Sequence, residues 1–174
     1  MTHEDEGAGC RARYANGRII LDAWAPGRAE CMAQAVRGLV RDAVRPGGAP
    51  PCEQDVERVE ALPDRELLAH VLGRAVAQLA RRGLVPADVL MKEDDEGGVT
   101  TTLLLVPGTQ LRRMPAAGPR ADDVLIERSD AGWRCHVVVE ARPVAALHEG
   151  FPPATPRGSA GTAGRDAGTS GGGA

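Results

Sequence analysis

Two acidic clusters could bind a hard cation, because Ca²⁺ and Mg²⁺ prefer carboxylate oxygens as ligands. The first comprises His3, Glu4, Asp5 and Glu6, and the second comprises Glu93–Glu96. The first cluster lies at the N-terminus, where nothing fixes its geometry, and the second precedes two glycines that are typical of a turn. Both clusters are therefore interpreted as solvated acidic segments in preference to metal sites.

Nucleophilic catalysis requires a serine or cysteine within reach of a base, and the sequence offers no such arrangement. Cys135 and His136 are adjacent on a predicted strand, so their side chains point to opposite faces. His70 lies between the core positions of a predicted helix and is interpreted as structural. Ser129 falls in a predicted turn, so no catalytic triad is indicated.

The four cysteines are Cys10, Cys31, Cys52 and Cys135, and none of them forms a C-x-x-C pair. In the cytoplasm they are expected to be free thiols. A thiol-dependent enzyme or redox sensor that uses Cys10, Cys31 or Cys52 is the least favoured alternative. No residue near Cys10 in the sequence would lower the pKa of its thiol.

Composition argues against several classes of function. A formal net charge of −3 provides no bulk attraction for nucleic acid or for an anionic membrane. No apolar run approaches the roughly 20 residues that span a bilayer, and "MTHEDEGAGC" lacks the apolar segment of a signal peptide. We expect a cytoplasmic protein that binds neither a membrane nor nucleic acid directly.

Apolar periodicity predicts two amphipathic helices, over residues 28–45 and 63–83. Gly38 costs the first helix about 1 kcal/mol relative to alanine, and a close contact between helix and sheet would explain its presence. Gly83, preceded by two arginines, is typical of a helix C-terminus. Strands are predicted over residues 18–24, 53–61, 87–92, 99–106, 123–128 and 133–141.

This order of elements predicts an α+β fold, in which two amphipathic helices pack on one face of a mixed or antiparallel sheet. The domain is placed at residues 15–146. Residues 1–14 are expected to form a flexible N-terminus. Residues 147–174, rich in glycine, alanine and proline, are expected to form a disordered tail. Trp24 is interpreted as scaffold that orients the first helix against the sheet.

Three segments of the chain resemble the archease family. "RIILDAWAPGRAECMAQAVRGLV" is similar to its first strand and helix, "DRELLAHVLGRAVAQLARRGLVPADV" to its second helix and following strand, and "ERSDAGWRCHVVVEA" to its closing hairpin. The resemblance covers roughly residues 15–142. It implies a small α+β accessory protein, not an enzyme, that assists an RNA-splicing ligase in tRNA processing and RNA repair by promoting ligase guanylylation and turnover.

The resemblance also implies a divalent-metal site, which is often assigned to calcium. Its ligands are an aspartate of an "H-T-A-D" motif on the first strand and an aspartate at the end of the last strand, with nearby backbone carbonyls. In this chain Arg18 stands at the first position and Glu140 at the second. The family's "K-A-V-T-Y-H-D" segment has lost its lysine here, and Asp122 or Asp123 occupies the histidine region. Glu140 and Asp122 are therefore the remaining candidate metal ligands.

Arg18 changes what this site is expected to bind. A guanidinium about 4 Å from a divalent ion is repelled by roughly 8 kcal/mol at an effective dielectric constant of 20. We therefore expect Ca²⁺ to bind weakly or not at all. Arg18 is predicted to replace the metal in a forked ion pair with Glu140, or with Asp122. An exposed arginine at a strand end is the other interpretation.

The leading hypothesis is an archease-like, non-catalytic accessory protein with a degenerate metal site and an RNA-splicing ligase as its partner. The alternative is a stand-alone regulatory or ligand-binding domain that has kept the fold and lost ligase activation.

Overall fold

The computed structural model describes residues 7–46 and 48–144, which contain two α-helices, nine strands and one 3₁₀ helix. The α-helices are α1, Arg28–Ala43, and α2, Asp64–Arg82. The 3₁₀ helix is Ala121–Asp123. The strands are β1 Gly9–Ala15, β2 Arg18–Ala25, β3 Val44–Pro46, β4 Glu53–Val59, β5 Leu84–Glu93, β6 Val99–Leu111, β7 Arg113–Pro115, β8 Val124–Ser129 and β9 Gly132–Pro143. The predicted α+β class is confirmed.

The described strands form two sheets, and every pairing between them is antiparallel. The first sheet has the order β1–β2–β9–β7, and β8 also pairs with β9. The second has the order β3–β6–β4, and β5 also pairs with β6. The antiparallel character agrees with the prediction. The division into two sheets was not predicted, because the apolar pattern of a strand does not identify its partner.

Helix α1 contacts strands of both sheets, including β2 in the first and β5 in the second. Nine of its sixteen residues are buried, which is more than a single apolar stripe requires. The helix ends at Ala43, two residues earlier than predicted, because Val44–Pro46 pairs with β6. A Cβ at Gly38 would lie 3.2 Å from the Sγ of Cys10 and 3.5 Å from the Cδ2 of Leu21. The predicted close contact between helix and sheet is therefore confirmed.

Helix α2 has one apolar stripe and a glycine cap. Gly83 adopts the left-handed conformation, with φ at 65°, and its N–H donates to the carbonyl oxygen of Leu79 at 3.0 Å. The predicted C-terminal cap is thus confirmed. Arg74, whose side chain is 13% exposed, pairs with Asp55 and Glu57 of β4 and ties the helix to the second sheet. The stripe buries six residues: Leu67, Leu68, Val71, Leu72, Ala75 and Val76.

The expectation that residues 1–14 form a flexible N-terminus is wrong from Gly9 onward, because Gly9–Ala15 forms β1. This strand pairs with β2 along its whole length. The turn between them contains Asn16 and Gly17, whose φ values are 51° and 74°. Asn-Gly is favoured in two-residue hairpin turns because both residues tolerate positive φ. The strand was not predicted because its sequence is rich in arginine. Of its residues, only Cys10 and Tyr14 pack partly against the core.

Trp24 faces away from α1, so the expectation that it orients the helix is wrong. Leu21 and Ala23 face the core, with exposures of 0% and 1%, and Trp24 alternates with them on the outward side of β2. A Cβ at Gly9 would lie 2.7 Å from the Trp24 ring, and the guanidinium carbon of Arg11 lies 5.6 Å from the ring centroid. Trp24 therefore holds β1 against β2.

The predicted strands at 53–61, 87–92, 99–106, 123–128 and 133–141 correspond to β4, β5, β6, β8 and β9. Strands β5 and β6 extend beyond their predicted limits. The three-residue strands β3 and β7 were not predicted, because a segment of that length has no measurable periodicity. The predicted tail, residues 147–174, and the N-terminal residues 1–6 lie outside the described residues.

Candidate functional site

A groove of about 750 Å³ lies where β9 passes from one partner strand to the next. The β8 ladder ends at Val137 of β9, and the β7 ladder begins at Ala141. Residues 116–123 cross this gap, and the Ala116 N–H donates to the Glu140 carbonyl oxygen at 2.9 Å. The interrupted ladder therefore opens a concave surface on the sheet. Six formally charged side chains line it: Arg18, Arg65, Arg120, Asp122, Asp123 and Glu140.

A contact between two glycines positions one wall of the groove. Gly118, in the loop that crosses the gap, lies against Gly73 of α2, and a Cβ at Gly118 would be only 2.4 Å from the Gly73 Cα. A side chain does not fit at that distance, so the sequence requires glycine there. At the end of the loop, the Arg120 N–H donates to Asp123 Oδ2 at 3.1 Å. The loop is thus held both at α2 and at the 3₁₀ helix.

The structure brings the three residues of the predicted metal-replacing site to this groove. Arg18 is opposite Glu140 in the β2–β9 register, and Asp122 lines the same surface. Within residues 7–46 and 48–144, no ion pair joins Arg18 to either carboxylate, and Asp122 faces Arg120 at 3.8 Å. The forked ion pair therefore stays a prediction.

The groove does not present the ligand set that a calcium ion needs. Calcium takes six to eight oxygen ligands. The described part of the chain contains no group of three or more His, Cys, Asp or Glu residues that could hold a metal, and the first of the two ligand positions that the resemblance implies holds Arg18 in place of a carboxylate. Asp123 caps the 3₁₀ helix, and Asp122 faces a guanidinium. Glu140 remains, opposite Arg18. These residues do not fit the divalent-metal site that the resemblance implies.

His136 lies on the outward face of the sheet and pairs with Asp22 of β2. Its Nδ1 is 2.7 Å from Asp22 Oδ1, and both side chains are about half exposed. Cys135 points to the opposite face and is 4% exposed. As expected from their alternation on a strand, His136 and Cys135 do not form a thiolate–imidazole pair.

All four cysteines are free thiols. Cys31 and Cys135 are buried, and a hydrogen bond between them lowers the pKa of Cys31 and, together with burial, raises the pKa of Cys135. Cys31 is fully buried, so a solution reagent does not reach it in the folded protein. Cys52 is exposed, and its Sγ donates to the Leu105 carbonyl oxygen at 3.5 Å. These surroundings do not favour a thiol-dependent enzyme.

The other candidate residues that the structure describes have structural partners. Asp94 Oδ1 accepts hydrogen bonds from the N–H groups of Glu96 at 3.0 Å and Gly98 at 2.8 Å, which shapes the β5–β6 turn. His70 Nε2 lies 2.9 Å from Glu57 Oε2, so this histidine links α2 to β4. The N-terminal acidic cluster lies outside the described residues.

Arg65 and Arg120, which line the groove, belong to no motif in the sequence. Arg65 is in the first turn of α2, and Arg120 precedes the 3₁₀ helix. They reach the groove because α2 contacts both the 3₁₀ helix and β8. Such contacts depend on tertiary packing, and periodicity contains no signal for them.

The fold and the groove define a class: a small α+β domain that carries a charged groove on one of its two sheets. Comparison with known proteins then identifies the family. "Probable protein archease" from Mycobacterium tuberculosis, in strains CDC 1551 / Oshkosh and ATCC 25618 / H37Rv, is 30% identical over 125 residues, covering 70% of this chain and 69% of the relative. The chain belongs to the archease family.

Two further comparisons complete this result. No protein-family model matches the chain. The solution structure of protein 1598 from Methanobacterium thermoautotrophicum aligns with a TM-score of 0.57 and 11% sequence identity, covering 76% of this chain and 98% of that one. At this identity the similarity establishes the fold alone.

No helix among the described residues is long and apolar enough to cross a membrane.

Proposed function

We propose that this protein is a non-catalytic accessory factor that assists an RNA-splicing ligase in tRNA processing or RNA repair. Membership of the archease family supports this role. The structural observation that carries it is the register of β2 and β9, which places Arg18 and Glu140 opposite each other at the groove. In the family resemblance, these two positions hold the metal ligands near the ligase-activating surface.

In this proposal the groove acts on the ligase without a resident calcium ion. Arg18 carries a fixed positive charge where a relative would hold a cation, and Glu140 preserves the acidic group opposite it. In the degenerate metal site, the guanidinium of Arg18 then takes the place of the bound cation.

A guanylylation assay tests the ligase role. The RNA-splicing ligase of the same genome is incubated with GTP and RNA, with and without this protein, and the guanylylated fraction and the number of turnovers are measured. We expect this protein to raise both the guanylylated fraction and the number of turnovers, and we expect the rise to persist when a calcium chelator is present. Arg18→Asp should remove this activation. Arg13→Asp is the matched control, because Arg13 is exposed on β1 and does not line the groove.

A pull-down with the ligase completes the test. If the native protein neither binds the ligase nor changes its turnover, the accessory role is wrong. If Arg13→Asp loses activation as fully as Arg18→Asp, the groove is not the surface through which this protein activates the ligase.

Calcium titration by calorimetry tests the degenerate metal site separately. The native protein should give no binding heat up to about 1 mM Ca²⁺, the weak end of protein calcium sites. Arg18→Asp restores a carboxylate opposite Glu140 and should bind Ca²⁺ more tightly. Tight calcium binding by the native protein would overturn the metal replacement and leave the ligase role standing.

A ligand-binding domain is the second candidate function. It is favoured by Arg18 and Arg65, two guanidinium groups in the groove that lack acidic partners among the described residues. Failure to bind the ligase, combined with specific binding of a small anion, would support this candidate over the first.

A further inference from the structure

The charges in the groove do not cancel locally. Asp122 faces Arg120 at 3.8 Å, and Asp123 accepts the Arg120 N–H at 3.1 Å. Arg18 and Arg65 have no ion pair or side-chain hydrogen bond with any residue in the described ranges 7–46 and 48–144. These two guanidinium groups thus share the groove with one uncommitted carboxylate, Glu140.

Several arginines at contacts between other elements do have acidic partners. Arg28 pairs with Asp64 and Glu93, and Arg37 pairs with Glu30 and Asp88. In the groove, by contrast, Arg18 and Arg65 have no acidic partner among the described residues, although the three arginines and three carboxylates of the lining sum to zero formal charge. Guanidinium groups whose N–H donors have no protein partner can offer charged hydrogen bonds to an anion in the groove.

The guanidinium groups indicate which anion fits. A guanidinium presents its N–H donors in a planar fork that matches the oxygens of phosphate or carboxylate. A phosphate monoester carries a charge of about −1.5 to −2 at neutral pH and has three acceptor oxygens, so it satisfies two guanidinium groups better than a single carboxylate does. Glu140 then remains as an acceptor for a hydroxyl or amino group of the same ligand.

The size and apolar lining of the groove indicate that the ligand is larger than phosphate alone. Its volume of about 750 Å³ lies within the range of roughly 300–1,000 Å³ that is typical of small-molecule sites. Val138 and Leu125 add apolar surface to the lining, and Leu125 is 46% exposed. An organic group that covers these side chains would gain from removing them from water.

From these observations we infer that the groove binds a phosphate monoester carried on an organic group. Arg18 and Arg65 contact the phosphate oxygens, Glu140 accepts a hydrogen bond from the organic group, and Val138 and Leu125 pack against it. This inference does not rest on the ligase role, because it follows from the charges and shape of the groove.

Isothermal titration calorimetry with the full chain at low salt tests the inference. The probes are adenosine 5′-monophosphate, glucose 6-phosphate, inorganic phosphate and adenosine. We expect at least one ester to bind about tenfold more tightly than inorganic phosphate, and adenosine not to bind. The two esters distinguish a nucleotide from a sugar phosphate as the source of the monoester.

Two variants and a control locate the site. Arg18→Gln and Arg65→Gln should each weaken ester binding by about tenfold or more, since each removes a charged hydrogen-bond donor. Arg13→Gln removes an exposed arginine outside the groove and should leave the affinity within about twofold of native, as a screened surface charge would. Circular dichroism spectra check that all three variants fold.

Three results would overturn the inference. The first is that neither ester binds at millimolar concentration, and the second is that inorganic phosphate binds as tightly as the esters. The third is that Arg13→Gln weakens binding as much as the groove variants do, which would indicate general attraction to a basic surface.

Discussion

Replacing Gly118 by alanine should destabilise the protein, whereas the same replacement at Gly73, on the other side of the same contact, should stabilise it. A Cβ at Gly118 would lie 2.4 Å from the Gly73 Cα and 3.0 Å from its backbone nitrogen. Carbon atoms pack favourably at roughly 3.5–4.0 Å, so the loop would have to move away from α2 by about 1 Å or more. A Cβ at Gly73 meets only the Gly118 Cα, at 4.0 Å, which is an ordinary contact.

The expected free energies of unfolding follow from this asymmetry. Forcing a methyl group into a closed contact costs about 1–3 kcal/mol, and the reduced entropy of the unfolded chain offsets roughly 0.4–1 kcal/mol of that. Gly118→Ala should therefore lose about 1–2 kcal/mol. Gly73→Ala lies inside α2 and should gain up to about 1 kcal/mol from helix propensity.

Urea unfolding followed by circular dichroism measures both changes, and the two variants should differ by about 1–3 kcal/mol. In thermal unfolding, each kcal/mol corresponds to a shift in Tm of roughly 2–4 °C for a chain of this size. Gly118→Ala should also reduce phosphate-ester binding, because the loop forms a wall of the groove. If Gly118→Ala is as stable as the native protein, the reasoning from the glycine contact is refuted.

Two more predictions concern other parts of the chain. Burial alone would raise the pKa of Asp88. Its hydrogen bonds with Arg37 and the Val89 N–H together lower the pKa by more than burial raises it, so the pKa in the folded protein lies below the usual value. Asp88→Asn should therefore reduce the free energy of unfolding near pH 6 by less than about 1 kcal/mol, since the pair is partly exposed. That deficit should shrink as the pH falls below about 4, and a deficit that does not shrink at all between about pH 4 and pH 2.5 in urea titrations would contradict this account. Iodoacetamide should label Cys52 in the native protein but Cys31 only after denaturation, and mass spectrometry that finds Cys31 labelled as fast as Cys52 in the native protein would disprove its burial.

Both helices could be predicted from the sequence because their signals are local. The stripe of α2, its flanking Pro63 and its cap at Gly83 all lie within one continuous segment. Strand β1 was missed because it exposes arginines along much of its length, although Asn16-Gly17 carries a recognisable hairpin signal. The two-sheet arrangement depends on which strands pair, and pairing is a long-range property.

The proximity of two groove residues could be predicted from the sequence. Arg18 and Glu140 were associated through the family resemblance, and the β2–β9 register places them opposite each other. Arg65 could not be associated with them, because it enters the groove only through the packing of α2 beside the 3₁₀ helix. The lack of an acidic partner for Arg18 among the described residues was equally beyond the sequence, since acidic residues are plentiful and only their positions decide which arginines are paired.

Helix α1 sets the separation of the two sheets. Small residues, including Ala33, Ala35, Gly38 and Ala43, occupy buried positions along a helix that both sheets contact. A larger side chain at any of them must push a sheet outward, since protein interiors have little free volume. The separation of the two sheets along α1 therefore depends on these four small residues. In relatives with bulkier residues there, we expect the sheets to be spaced further apart.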